Sequence, residues 1–136
     1  MAIRHVTRTA AYLWASPNTA LGLTVAALTW LTGGEIERRN GVIEVRRGFT
    51  RALLESPRLK AGAMTLGHVV LARDTAASDV HRAHEIGHVR QVELLGPFFL
   101  PAYFLAAAWA RLRGGHWYRD NWFERDADRR SGYWVE

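Results

Sequence analysis

Residues 84–88 read His84-Glu85-Ile86-Gly87-His88, and no feature restricts the fold of this chain more. Four residues are just over one helical turn, so on a helix both imidazoles project from one face and can grip one metal ion. Glu85 follows the first histidine and lies three before the second. It can therefore reach a water at that metal without being a ligand itself. The chain has no cysteine, which excludes a disulfide framework and a thiolate site. A transition-metal site must then be built from imidazole and carboxylate.

Residues 121–128 read Asn121-Trp122-Phe123-Glu124-Arg125-Asp126-Ala127-Asp128. Glu124 and Asp128 are again four apart, so on a helix they share a face. Two histidines plus a glutamate form a catalytic ligand set that leaves one position open for water. Asp128 then reads as a carboxylate behind a ligand histidine, accepting its free ring N–H and fixing its tautomer. Asp126 is the fallback if the register shifts. Each residue has a rival reading. His84 and His88 compete with surface histidines that bind nothing, Glu85 with a surface partner of Arg82 or Arg90, and Glu124 with a helix laced by i,i+4 charge pairs. His81, one turn before His84, reads as a rim or surface residue. Gly87 costs helix propensity and reads as a close helix-packing contact.

Taken together, H-E-x-x-H at 84–88 and E-x-x-A-D at 124–128 resemble the gluzincins, zinc peptidases with a downstream glutamate ligand. One likeness is to the branch of membrane-bound CAAX prenyl proteases and heat-shock membrane proteases, which carries E-x-x-A-D. Another is to the sensor peptidases of β-lactam resistance, where a strand with a T-x-G start precedes the H-E-x-x-H helix, as in Thr65-Leu66-Gly67-His68-Val69-Val70-Leu71 here. The soluble minigluzincins are close to this chain in length. The likeness covers about residues 62–130. It implies Zn2+ held by His84, His88 and Glu124, Glu85 as the catalytic base, and Asp128 supporting a ligand. It also implies a strand over 64–72, with Thr65, Gly67 and Val69, that holds an extended peptide by strand addition. An oxyanion donor is needed as well. His116 and Tyr118 are candidates beside Arg119, Tyr103 and His68, and the sequence does not choose among them.

Two uncharged stretches set the cellular context. Residues 9–34 carry no charge, and residues 94–110 carry none while being interrupted by Pro97 and Pro101. A spanning helix needs about twenty mainly apolar residues, and both stretches sit at that border. The first is expected as a short helix, a new start at Ser16-Pro17-Asn18, and a helix over about 19–32. The second is expected as a helix over about 94–110, starting at the Gly96-Pro97 break. Arg4 and Arg8 ahead of an apolar run resemble a signal peptide, but no small-residue cleavage site follows, so the segment is expected to be retained. Lipid bilayer contact is expected, with the zinc site facing the cytoplasm as in the protease branch above. The alternative is a soluble cytoplasmic protein in which both stretches are core helices.

Between these stretches, Asn40-Gly41 separates Glu35–Arg39 from Val42–Arg46, the strongest short hairpin signal. Ser56-Pro57 ends any helix over 50–55. Arg73–Ser78 reads as a polar loop, with Ser78 or Asp79 capping an active-site helix over about 79–95. Gly114-Gly115 breaks the chain before a last helix over about 122–131. The expected fold is a single α+β domain of 136 residues: small, mainly helical and metallopeptidase-like, with a short sheet from hairpin 35–46 and strand 64–72. Its peptidase-like core would be about 35–95 and 114–131.

Three functions compete. The first is a zinc metallopeptidase acting on a peptide or membrane-protein substrate. The second is an inert metal-binding sensor or assembly protein, favoured by how little chain is left to build a cleft. The third is a nucleic-acid binder, suggested by the net charge of +5. No nucleic acid is expected, because no binding motif is present and the arginines do not cluster beyond Arg125, Arg129 and Arg130.

Overall fold

The computed structural model describes residues 2–131, with side chains from residue 8 onward. Arg4 therefore has its side chain outside the described residues. The hairpin forms where the sequence places it, with β1 at Glu35–Arg39 and β2 at Val42–Arg46. Asn40 and Gly41 have φ of 53° and 80°, the two positive values that a type I′ turn requires.

The expected single strand over 64–72 is instead a second hairpin. β3 spans Ala63–Leu66 and β4 spans Val69–Ala72, paired antiparallel. Gly67 makes the reversal, at φ 64°, and a side chain there would collide with Thr19. β4 also pairs in parallel with β2, giving the order β1-β2-β4-β3. The architecture is α+β, with a mixed four-stranded sheet.

Alternation along the strands divides the core into two faces. Val45, Val69 and Leu71 pack with Ala26 and Leu54 on one side. Val42 and Val70 pack with Val89 on the other. The first side is covered by α1, Ala2–Leu31, and α2, Gly48–Leu54; the second by α3, Thr75–Leu95.

α1 corrects the expected break at Pro17, because it is one helix of 30 residues with that proline inside. Proline removes the N–H that would bond the carbonyl four residues earlier. Here the Ser16 hydroxyl donates to that carbonyl, Leu13 O, at 2.7 Å. The segment over 19–32 is thus the second half of a longer rod.

α3 starts earlier than the expected residue 79. Asp74 is its cap, accepting from Ala77 N–H at 2.8 Å, so the expected polar loop over 73–78 is mostly first turn. Ser78 is no cap. Its hydroxyl donates at 2.6 Å to Glu44 Oε2, and Arg82 Nε donates at 2.6 Å to Glu44 Oε1. Glu44 is 2 % exposed and bolts β2 to α3. Burial resists its charge, but the bonds from Arg82 and Ser78 win and hold its carboxyl below the usual range.

Thr75–Leu112 is long and apolar enough, by length and composition, to cross a membrane. It is not straight, because Gly96 has φ 54° and ψ −127°. A 3₁₀ turn over Gly96–Phe98 follows, and then α4, Phe99–Leu112. α5, Trp122–Arg130, is capped by Asn121, which accepts from Phe123 N–H at 2.9 Å.

Candidate metal centre

α3 and α5 cross where Gly87 meets Ala127. A Cβ on Gly87 would lie 2.9 Å from both Cα and O of Ala127, so only glycine permits this approach. The crossing sets the 84/88 face of α3 against the 124/128 face of α5. His84 Nε2 stands 2.9 Å from Glu124 Oε2, and His88 Nε2 stands 3.1 Å from the same oxygen. The nearest donor atoms of His84, His88 and Glu124 all fall within 4.8 Å of one another. Ligands at the usual 2.0–2.1 Å from a tetrahedral zinc would stand roughly 3.4 Å apart, so the spacing suits a single ion.

Hydrogen bonds behind the ring nitrogens decide which lone pairs face this centre. His84 Nδ1 lies 2.7 Å from Asp128 Oδ1, a carboxylate oxygen that can only accept, so Nδ1 carries the proton. His88 Nδ1 lies 2.9 Å from Gln91 Oε1. The Gln91 amide is oriented by its other end: Nε2 donates to Phe123 O at 2.8 Å and to Asp126 Oδ2 at 2.9 Å. Oε1 must therefore accept, and His88 Nδ1 must donate. Both imidazoles are held with Nε2 turned toward Glu124 Oε2. Because Nδ1 carries a proton on each ring, loss of the Nε2 proton would leave the lone pair a metal ligand needs. Asp126 takes part through Gln91 and Arg130.

The electrostatics agree. Burial opposes charge on His84, but Glu124, Glu85 and Asp128 outweigh it and raise its pKa to about 9. His88 is raised against burial by Glu124, Glu85 and Gln91. Glu124 is lowered to about 2, because bonds from His84, His88 and Tyr103 overcome its burial. The carboxylates of this centre thus favour positive charge at the two imidazoles.

Glu85 is 4 % exposed. Its Oε2 accepts from the Thr65 hydroxyl at 2.5 Å. Among the described residues no hydrogen bond engages Oε1. Thr65 thus presents its side chain to Glu85 rather than to solvent. Gly67 forms the turn, and Val69 lies in β4, whose backbone is already paired with β2 and β3. Neither can offer an edge to a peptide, which corrects their expected role; in the sheet order only β3, beside α3, is outermost on that side.

Among the oxyanion candidates, Tyr103 donates at 2.6 Å to Glu124 Oε1 and so positions the carboxylate. Its pKa is pushed up by burial and by Glu124. Tyr118 has its pKa raised by burial and by the charges of Glu124 and Glu85. His116 is otherwise engaged, since its Nδ1 accepts from the backbone N–H of Tyr118 and Arg119 at 3.1 and 3.2 Å. It shapes the turn before α5. His68 lies across α3, lining a cavity of about 270 Å³ with Arg8, Arg90 and Glu93. Gln91 went unread in the sequence, although its place three residues after His88 puts it on the same face. Comparison with protein-family models, with curated proteins and with solved structures found no match to this chain.

Proposed function

We propose that this protein is a zinc-dependent metallopeptidase of gluzincin type acting at a membrane surface. The observation that carries the reading is the pair of imidazoles locked with Nε2 inward by Asp128 and Gln91, converging with Glu124 beside a further carboxylate, Glu85. His84, His88 and Glu124 would hold the ion. When bound, zinc lowers the pKa of a water molecule and polarises a carbonyl. Imidazole and carboxylate donors without thiolate suit zinc among several divalent metals.

The remaining chemistry belongs to the chain. Glu85 Oε1 is placed to accept a proton and return it to a leaving amine, while Thr65 holds Oε2. Of the candidates, Tyr118, whose pKa responds to Glu124 and Glu85, is the donor we propose for a developing oxyanion. An extended peptide would lie along the outer edge of β3. We place the site on the cytoplasmic side, as in the membrane protease branch that the motifs resemble. The charges of Arg82, Glu85, Arg90 and Glu93 keep this part of α3 out of hydrocarbon.

A second reading has its own observation. Glu85 is nearly closed off, and a base that no substrate reaches would leave a metal-binding sensor or assembly protein. Zinc titration tests the part common to both readings. Wild type is expected to bind one zinc per chain and His84→Ala to lose stoichiometric binding. Undiminished zinc in His84→Ala would defeat the assignment. Turnover then separates the two.

A further inference from the structure

The outward faces of α1 and α4 are apolar where a protein in water would carry charge. On α4 the exposed residues are Pro101, Phe104, Leu105, Ala108, Trp109 and Leu112, spaced three or four apart as one helical stripe. Leu105 is 71 % and Leu112 81 % exposed. α1 buries Ala15, Asn18, Gly22, Ala26 and Thr29 and turns Leu13, Leu21, Leu28, Trp30 and Leu31 outward. The two faces join, because the Trp14 and Phe98 rings stand 6.0 Å apart and Trp14 Nε1 donates to Leu94 O at 3.1 Å. Together they form an exposed apolar surface of the kind that marks a membrane or partner contact.

Charge says what covers it. No aspartate or glutamate occurs in residues 1–34 or 94–119, although the chain has 13 of them elsewhere. Arginines flank these faces, Arg8 on α1 and Arg111 and Arg113 at the end of α4, while Arg90 and Glu93 stand beside the Trp14–Leu94 junction. Arg113 folds back over the Trp109 ring, 5.7 Å from its centroid. Apolar stripes edged by arginine and tryptophan complement an anionic lipid surface.

The fold also fixes the orientation. Residues 9–31 of α1 run about 35 Å, enough to cross a bilayer, but the inner face of the helix lies against the sheet along its length. Tyr12 donates to Gly41 O at 2.6 Å near one end, and the Thr29 and Thr50 hydroxyls meet at 2.7 Å near the other. A transverse α1 would drag the charged residues Glu37, Arg38 and Arg39 of the hairpin into hydrocarbon. α4, at about 21 Å, is too short to cross a hydrocarbon core of about 30 Å.

Resting on the membrane half of the function proposed above, we infer that α1 and α4 lie in the plane of one leaflet of an anionic bilayer and that the chain does not cross it. The metal centre then stands one helix from the lipid, since Tyr103 reaches Glu124 from the inner face of α4. The substrate class that fits is the membrane-proximal segment of another membrane protein.

The test uses the full chain, whose lack of cysteine allows single labels. Thr9→Cys and Glu35→Cys mark the two ends of the uncharged stretch in α1. In inverted membrane vesicles from an expressing bacterium, a membrane-impermeant maleimide should treat the two positions alike. Leu21→Glu with Leu105→Glu, both at exposed sites, should lower binding of the pure protein to phosphatidylcholine–phosphatidylglycerol vesicles by about tenfold or more. Zinc content of that variant checks its fold. Labelling of one position and protection of the other would overturn the in-plane seat while leaving membrane association intact. A wild-type chain that ignores the vesicles and sediments as a dimer would overturn both, and would assign the apolar faces to a second copy.

Discussion

Gly87 of α3 and Ala127 of α5 touch backbone to backbone, and this contact aligns the two pairs of site residues. The missing Cβ of Gly87 corresponds to a gap of 2.9 Å to Ala127 Cα, while Ala127 is fully buried. The histidines lie three residues before and one after Gly87, and the carboxylates three before and one after Ala127.

Gly87→Ala follows from that contact. Alanine should favour the helix by about 1 kcal/mol, but the added methyl overpacks the crossing at a cost of about 1–3 kcal/mol, occasionally more. The expected net is a lower Tm together with weaker zinc binding, because α5 must retreat. Competition with a chromogenic chelator measures the second effect. A Tm increase with unchanged zinc affinity would show that the crossing is not tight.

Gln91→Met keeps the volume and removes the acceptor that fixes His88. Zinc affinity should fall by roughly 10–100-fold, and any turnover should be partly restored by excess zinc. Asp128→Asn should behave alike through His84. Zinc affinity unchanged from wild type in both variants would mean that the ring orientations are set by packing alone.

Glu44 predicts an acid limb in the stability of zinc-free protein. Its folded pKa lies below its unfolded value of about 4.5. The stability it contributes is therefore complete above that value and is lost as pH falls through the folded one. Glu44→Gln should lower Tm at pH 7, toward the low end of the ~3–5 kcal/mol typical of broken buried pairs. Arg82 keeps Asp79, and Arg46 keeps Glu37. The gap between wild type and variant should narrow from pH 5 to pH 3. A constant gap would contradict the argument.

The sequence showed what is periodic or local. Asn40-Gly41 located the first hairpin, and the two four-residue spacings located the residues that meet at the candidate centre. Other features depended on partners far away in the chain. Pro17 reads as a break until the Ser16 hydroxyl is seen to cap Leu13 O. The strand over 64–72 divides because Gly67 turns against Thr19 of α1, a contact between segments nearly fifty residues apart. Glu44 looks like an outward hairpin residue until α3 covers that face with Ser78 and Arg82. Apart from the hairpin signal, the first sixty residues carried no family motif, although α1 contributes Ala15 and Ala26 to two of the core clusters.

Glu85→Gln tests the central claim most directly. Glutamine preserves size and can still accept from Thr65, but it cannot take a proton. With zinc loaded to the same level in both proteins, peptide turnover should fall by at least the ~10²-fold typical of general-base loss, and added metal should not restore it. Wild type that holds zinc yet cleaves neither varied peptides nor membrane-protein substrates, or a Glu85→Gln variant as active as wild type, would contradict the account.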